Sequence, residues 1–278
     1  MEKMELLALP LLAVLLLTSG CRGEKSQDIG AEQSPPKTTH AQGSSTPPAA
    51  SAAPTSAANK NVEIRPLSGR AFAVQDFGPV PRGPVNDVIR QLRPLALAGD
   101  GASSYALFLK LNECSDINRR LAKGRPIQDA DAASQCEELS AEDEVSRSEW
   151  LSLAAEQGNI GAQLLYSMDS ASALGGEAAM LRDPEAVMEY KRKATSYLEG
   201  LASQGSADAL LQLGNAYQAG VLVNEDLVAS RAYFEAVRLS DPSLVPTQQV
   251  KGLENEMSAE QISTAVRKGE QIYGSCCR

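Results

Sequence analysis

The residues most able to do chemistry in this chain are its five cysteines and one dense group of carboxylates. Cys114 follows a predicted helix, and Cys136 lies in the polar stretch that precedes the next one. In an oxidising compartment, a bridge between them would close a loop of about 20 residues and stabilise the fold by ~3 kcal/mol. We therefore predict a disulfide that pins the polar excursion 115–139 to a helical body.

Cys276 and Cys277 are adjacent, which leaves several pairings open. Such a pair can form a vicinal disulfide, bond to other cysteines or link two molecules. A redox-active site is the most reactive alternative, but redox enzymes more often place a Cys-x-x-Cys pair at the start of a helix, where the dipole lowers the thiol pKa. We expect a structural or vicinal bridge here, with thiol–disulfide exchange as an alternative function.

The carboxylates cluster within eight positions, and paired carboxylates can hydrolyse glycosides. Helix N-termini also attract acidic residues, because the first-turn N–H groups carry partial positive charge. We interpret the cluster as the start of a helix in which Trp150 is a core anchor. An envelope hydrolase, or an inhibitor of one, stays as the alternative. The cluster comprises Glu137, Glu138, Glu142, Asp143 and Glu144.

Several other chemistries are excluded by residue type. The only histidine, His40, lies in a segment predicted to be unstructured, so the folded part has no Ser–His–acid triad and no histidine ligand for zinc. There is no Gly-rich phosphate loop and no dinucleotide fingerprint. The formal net charge of -9 disfavours nucleic-acid binding, which relies on Lys and Arg meeting phosphates. We predict no metal, no cofactor and no nucleic-acid partner.

The composition and the apolar periodicity predict helices. Hydrophobic residues make up 43% of the chain but aromatic residues only 4%, which favours helices packed through small side chains. Cap residues mark several starts: Ser140 with Asp143, Asp183 with Pro184, Asn224, and Ser258 with Gln261. The predicted helices begin at Val85, around Leu107 and at Asn224, and also cover 140–157, 183–203, 247–257 and 258–273.

A recurrence in the sequence predicts how these helices are arranged. Residues 155–162 read AEQGNIGA and residues 202–209 read ASQGSADA, so that Ala155, Gly158 and Ala162 each recur 47 positions later. A weaker echo runs from Ala98 to Gly101 and continues at Ala106, with one extra residue. Helix–Gly–helix units at such a period are typical of an α-solenoid.

The second copy is the more complete one. We expect Gly214 to allow close approach of a neighbouring helix, and Gly220 to end its own helix in the left-handed conformation.

The copy resembles a Sel-one-like repeat, a relative of the tetratricopeptide repeat, with a good match over 198–239, a partial match over 148–202 and a faint one over 85–112. The matching residues are Gly205, Ala209, Leu213, Gly214, Tyr217, Gly220, Val221, Ala229, Tyr233 and Ala236. The resemblance implies a stacked array of helix pairs that binds other proteins and catalyses no reaction.

The N-terminus resembles that of a bacterial lipoprotein. Residues 6–17 form an apolar run of signal-peptide length, and the following residues, Leu17 to Cys21, resemble a lipobox. This resemblance implies cleavage before Cys21 and acylation of the new N-terminus, including palmitate. Arg22, in place of the Asp that favours inner-membrane retention, implies an outer-membrane, periplasm-facing anchor. An ordinary secretory signal with a chance cysteine is the alternative.

Together these patterns predict an all-α protein: a short α-solenoid of antiparallel helix pairs after a disordered N-terminal tail. The predicted parts are a signal peptide (1–20), a lipidated tether (21–61), an extended segment shielding the first helix (62–84), the helical repeats (85–240) and capping helices (241–278). We expect a non-catalytic, lipid-anchored scaffold with an unknown protein partner. Gln163, Gln212 and Asn215 lie off the apolar stripes and are predicted to face its binding groove.

Overall fold

In the computed structural model, residues 57–278 are described, and the structural statements below concern this part of the chain. The predicted signal peptide, Cys21, His40 and the tether as far as residue 56 lie outside it. The described residues form one two-stranded antiparallel hairpin followed by thirteen helices. The strands are β1 (Glu63–Pro66) and β2 (Phe72–Asp76), and the helices are α1 (Val85–Leu97), α2 (Gly101–Ala122), α3 (Ala130–Ser134), α4 (Ala141–Val145), α5 (Arg147–Glu156), α6 (Ile160–Met168), α7 (Ser170–Leu174), α8 (Glu177–Arg182), α9 (Pro184–Ser203), α10 (Ala207–Ala219), α11 (Leu227–Ser240), α12 (Thr247–Asn255) and α13 (Ala259–Cys276).

The longer helices stack in an order that confirms the predicted all-α array of helix pairs. Each helix packs against the next in the series α1, α2, α5, α6, α9, α10, α11 and α13. The short helices α3, α4, α7 and α8 occupy the connections, and α12 joins the last two helices of the stack. Among residues 57–278, no helix combines the length and the apolarity that crossing a bilayer would need.

Three equivalent turns join α1 to α2, α5 to α6 and α9 to α10. In each turn a glycine has φ between 83° and 99°, and the next residue caps the following helix with its side chain. Left-handed glycine lets the chain reverse within three residues, because it has no Cβ to clash with the backbone. The turns are formed by Gly99 with Asp100, Gly158 with Asn159, and Gly205 with Ser206.

The weaker echo at 98–101 forms the turn between α1 and α2. The turn glycine is Gly99, whereas Gly101 is the first residue of α2 and does not have a positive φ. Gly99 lies 59 positions before Gly158, whereas Gly158 and Gly205 are 47 positions apart. The sequence was ambiguous because two glycines flank Asp100, and only the side-chain cap on Ala102 decides between them.

Two helix boundaries also differ from the sequence prediction. The helix expected over 140–157 is two helices, α4 and α5, that meet at Ser146. The Ser146 hydroxyl donates to the Asp143 carbonyl over 2.9 Å and accepts from the Trp150 indole over 3.2 Å. Asn224 does not cap α11: Asp226 does, through a hydrogen bond of 2.9 Å from the Ala229 N–H.

The segment before α1 differs from the prediction in where it begins and in which helix it contacts. Residues 57–61, assigned to the tether, begin with a 3-10 turn, Ala57–Asn59, that contacts α2. The segment 62–84 contains two paired strands, and strand β2 contacts α10 instead of shielding the first helix. Long-range polar contacts hold both parts, and these contacts have no local signature in the sequence.

Two apolar clusters form the interior. The first lies around α1, α2, α5 and α6, with Tyr105, Leu107, Leu111 and Leu151 fully buried. The second gathers α6, α9, α10, α11, the hairpin and the last cysteines. Glycines allow the close helix contacts: a Cβ on Gly214 would lie 2.7 Å from the Phe234 ring, as the sequence predicted for a helix approach at this position.

Candidate functional site

A continuous strap of residues 57–78 crosses the ends of the stacked helices. Near its start, the Asn159 side chain donates to the Ala58 carbonyl over 2.5 Å. The Lys60 ammonium then pairs with Asp100 at 3.0 Å, and the Asn61 amide donates to the Ala102 carbonyl over 3.4 Å. Along the chain, the strap thus contacts the turn at Asn159 first and the turn at Asp100 next.

The hairpin of the strap contacts the third turn. The N–H of Phe72 donates to the Gly205 carbonyl over 2.9 Å, and the N–H of Val74 donates to the Asp208 carboxylate over 2.7 Å. Burial raises the pKa of the Asp208 carboxyl, although the hydrogen bond from Val74 acts in the opposite direction. The Asp208 carboxylate on α10 therefore accepts a hydrogen bond from a backbone N–H of strand β2.

The loop between the strands contacts the ends of α11 and α13. The Arg70 N–H donates to the Cys277 carbonyl over 2.6 Å, and its guanidinium donates to the Arg278 carbonyl over 2.8 Å. The N–H of Ser68 donates to the Ser240 carbonyl over 3.2 Å. The strap consequently links all three repeat turns to the last helices of the array.

The cysteine pairs are both bonded. The sulfur atoms of Cys114 and Cys136 lie 2.03 Å apart, and those of Cys276 and Cys277 lie 2.07 Å apart. Glu113 approaches the first pair closely enough for a metal-like cluster, but sulfur in a disulfide offers no thiolate ligand. The first bridge pairs the two cysteines that the sequence predicted, but Cys114 lies within α2 rather than after it, so residues 115–122 continue the helix.

The excursion is also fixed by a buried lysine. Lys110 is 1% exposed and donates to Glu113 over 3.2 Å and to the Gln135 side-chain oxygen over 3.1 Å. The same oxygen accepts from the Gly83 N–H over 2.8 Å. A buried ammonium needs such partners because burial removes its hydration.

The vicinal pair lies under the strap. Cys276 is 4% exposed and Cys277 is fully buried, in the cluster that also contains Ala71 and Phe72. A disulfide exchanges only when a thiolate reaches one of its sulfur atoms. The strap must therefore move before this pair can react with another protein.

The acidic cluster makes separate structural contacts. Asp143 pairs with Arg93 at 2.5 Å, Glu144 accepts from the Ser115 hydroxyl over 2.7 Å, and Glu138 accepts from Asn86 over 3.1 Å. Glu137 and Glu142 are exposed. These contacts point to different neighbours, so the cluster does not present a pair of carboxylates to one substrate position. Trp150 is 8% exposed, in agreement with its predicted role as a core anchor.

The three residues predicted to face a groove have different surroundings. Gln163 is half-buried and donates to the Ala155 carbonyl over 3.0 Å, at the end of α5. Asn215 is exposed and accepts from Gln249 of α12 over 2.8 Å. Gln212 is half-buried one turn before Asn215 on α10. Only Gln212 and Asn215 share one helix face, at positions i and i+3.

The 47-residue repeat identifies their counterparts on α6. Leu165 corresponds to Gln212, and Met168 corresponds to Asn215. Met168 is 62% exposed, and Leu165 is half-buried. We call these four residues the α6–α10 face, because the two helices are neighbours in the array. Sequence reasoning missed its apolar half, although the repeat offset would have pointed to it.

Comparison with solved structures shows a likeness at the level of the fold. No family model matches the chain, and a comparison with curated proteins finds no match. One similar solved structure is a protective antigen present in uropathogenic Escherichia coli strains, which displays an SLR fold. The identity is 21% and the TM-score 0.40, over 68% of this chain and 41% of that one. This chain thus matches less than half the length of that structure.

Proposed function

We propose that this chain is a lipid-anchored scaffold of the bacterial envelope that binds a protein partner on the α6–α10 face. The observation that carries the proposal is that Met168, a large apolar side chain, is exposed. The equivalent position of the next repeat is the polar residue Asn215. An exposed methionine on α6, with amide side chains at the equivalent positions of α10, offers a partner an adaptable apolar contact and polar groups. Leu165 extends the apolar part toward the core.

The strap supports this proposal because it fixes the repeats relative to one another. A helix pair in a solenoid contacts only its neighbours, so that an unbraced array bends at every turn. Here Asn159, Asp100 and Asp208 each bond to the same strap. A partner then meets a preorganised surface and loses less binding free energy to ordering.

A non-catalytic role accords with the state of the reactive groups. The residues after His40 contain no histidine, and all four cysteines from Cys114 onward are in disulfides. The buried carboxylate of Glu235 accepts from Arg238 and Arg231, and these hydrogen bonds hold its pKa below the usual range. Both arginines lie on α11 with Glu235, and Arg231 also donates to Glu254 of α12 over 2.6 Å.

The envelope location and the lipid anchor are supported by the sequence alone. The apolar run 6–17 and the lipobox-like residues before Cys21 match what an exported, acylated protein needs. Several acyl chains would make the anchoring stable. We place the anchor in the outer membrane, facing the periplasm, because Arg22 is not the residue that favours inner-membrane retention.

Site-specific photo-crosslinking in intact cells tests the binding face. A photoreactive residue is placed at Met168 or Asn215, and at the exposed control positions Lys251 and Lys268. We expect one protein to crosslink from both test positions and from neither control. Equal crosslinking at all four positions, or none at Met168 and Asn215, would contradict the proposed face.

The anchor is tested separately. Mass spectrometry of the mature N-terminus should show an acylated Cys21, and Cys21→Ser should release the chain from the membrane fraction. A native chain that starts at an unmodified Cys21, or that sediments no differently from Cys21→Ser, would contradict the anchor. The binding face is tested by the crosslinking alone.

A further inference from the structure

The end of helix α2 carries a charge opposite to that of the whole chain. Residues 119–125 read RRLAKGR, which contains four cations and no acid in a protein of formal net charge -9. We call these seven residues the basic tip. They comprise the last turn of α2 and the start of the following loop.

The basic tip projects from the array. Helix α2 is buried or half-buried at every position up to 118, whereas residues 119–126 are all exposed. Leu121, in the middle, is 51% exposed although it is a large apolar side chain. The last turn of α2 is therefore open to solvent, where another molecule can contact it.

Two of the four cations are available for a ligand. Arg119 pairs with Asp116 at 2.5 Å, and the Arg120 guanidinium donates to the Pro126 carbonyl over 3.4 Å. Within residues 57–278, Lys123 and Arg125 make no ion pair or side-chain hydrogen bond. The protein therefore holds the first two cations in place and leaves the outer two to the solvent.

We propose that the basic tip binds anionic phospholipid headgroups and forms a second membrane contact of this chain. Lys and Arg attract lipid phosphates at the membrane surface, and an exposed leucine among them inserts between headgroups. Four cations around Leu121 combine both features within seven residues. The long aliphatic stems of Arg and Lys can lie along the apolar boundary while their charges reach the phosphates.

The distribution of charge favours a membrane over an extended polyanion. Glu113, Asp116 and Asp129 line a cleft that Arg120 of the tip also lines, and Asp116 pairs with Arg119. A nucleic acid following the protein surface would meet these carboxylates, whereas a flat membrane touches only the projecting end. Charges more than ~8 Å behind the contact are largely screened at physiological ionic strength, so the acidic body adds little repulsion.

The predicted anchor allows this contact but is not needed for it. Helix α2 has 22 residues and is about 33 Å long, and its start lies against the strap at Asn61. The sequence places 35 residues between the predicted lipid anchor at Cys21 and residue 57. A lipid anchor at Cys21 would raise the local concentration of the tip at the membrane.

Vesicle sedimentation of residues 22–278 tests the proposal without acyl chains or a protein partner. This chain length retains both buried clusters, all of whose members lie after residue 57. The vesicles are phosphatidylcholine alone, or phosphatidylcholine mixed with phosphatidylglycerol. We expect binding only to the anionic vesicles, and weaker binding as salt is raised.

Two triple variants of equal charge change decide whether the tip is responsible. Arg120→Glu/Lys123→Glu/Arg125→Glu should reduce binding to anionic vesicles at least tenfold. Lys251→Glu/Arg267→Glu/Lys268→Glu, all at exposed positions on α12 and α13, should leave it within twofold of the native chain. Thermal melts of both variants show whether the fold is retained, and Lys123→Gln/Arg125→Gln gives a milder change at the loop.

Several outcomes would overturn the proposal. These are equal binding to neutral and anionic vesicles, equal losses in the two triple variants, or no loss in the tip variant. A short DNA duplex that displaces the vesicles through the same residues would assign the tip to nucleic acid instead. None of these results bears on the α6–α10 face, because its protein partner is absent from the assay.

Discussion

The Asp208 carboxylate accepts a hydrogen bond of 2.7 Å from the backbone N–H of Val74 and so joins strand β2 to the first turn of helix α10. The two residues are 134 positions apart in the chain. Burial raises the pKa of this carboxyl above its ordinary value. The contact thus couples the docking of the strap to the protonation of one side chain.

Removing the acceptor should loosen the strap. Asp208→Ala leaves the Val74 N–H without its partner and should lower the free energy of unfolding by about 1–3 kcal/mol. Asp208→Asn keeps an oxygen acceptor and should cost less. Denaturant titration measures both, and amide exchange at Val74 should quicken in the alanine variant alone. Equal stability of the two variants would contradict a role for this hydrogen bond.

The same carboxyl predicts a direction of pH dependence. Because its folded-state pKa is raised above 3.8, folding favours the protonated form. The stability that the native chain has relative to Asp208→Asn should be greatest below about pH 3.8 and should fall as the pH rises through the raised pKa. Melting both proteins across this range checks the sign. A native advantage that grows with pH would show that the hydrogen bond outweighs burial.

The local parts of this fold could be predicted from sequence, because their signals are local. Ser258 and Gln261 form the expected capping box, and Asp183 caps α9 with Pro184 at its first position. The repeated turn was visible as a glycine recurring 47 positions later, at Gly158 and Gly205. These features depend on residues within one or two turns of each other.

The strap could not be predicted, because its contacts join distant parts of the chain. Nothing near Phe72 indicates that its N–H will bond to the Gly205 carbonyl. Prolines and scattered apolar residues suggested an extended segment that shields the first helix, whereas strand β2 contacts α10. The apolar half of the α6–α10 face was missed for another reason: Met168 has a helix-forming, apolar side chain that a sequence analysis assigns to the core.

Helix α10 packs closely against Phe234 of α11 at Gly214, and Gly200 on α9 provides a control glycine without such a neighbour. A Cβ there would lie 2.7 Å from Phe234, a rigid buried ring, so Gly214→Ala should destabilise the fold by about 1–3 kcal/mol. Gly200 lies on the exposed side of α9 with nothing within 4 Å of a Cβ. Gly200→Ala should stabilise by about 0.5–1 kcal/mol, because alanine favours helix. Thermal or denaturant unfolding compares them, and shifts of the same sign would refute the packing described.

Asn159 combines a helix cap with a strap contact. Its oxygen accepts from the Ala162 N–H over 2.9 Å, its amide donates to the Ala58 carbonyl over 2.5 Å, and the residue is fully buried. Asn159→Ala should therefore cost more than the ~1 kcal/mol of an ordinary cap. Asp183→Ala removes an exposed cap with a single bond and provides the comparison. Similar losses in unfolding free energy would mean that the strap contact contributes nothing.

The buried Cys276–Cys277 bridge should be protected by the strap loop above it. Gly69 has a φ of 65°, and a Cβ at this position would lie 2.1 Å from the Cys277 carbonyl oxygen. Gly69→Ala should displace the loop and speed reduction of the bridge by a phosphine, because access to the sulfur limits the reaction. Gly83→Ala is the matched control, since Gly83 also has a positive φ but has nothing within 4 Å of a Cβ.

Timed alkylation followed by peptide mass spectrometry measures this reduction. The fully buried Cys114–Cys136 bridge lies away from the loop and is an internal reference that Gly69→Ala should not affect. Faster reduction of the vicinal pair in Gly69→Ala alone would show that the strap controls its access. If the native chain is reduced as fast as Gly69→Ala, the pair is open to solvent thiols, and exchange with other proteins becomes the better account of it.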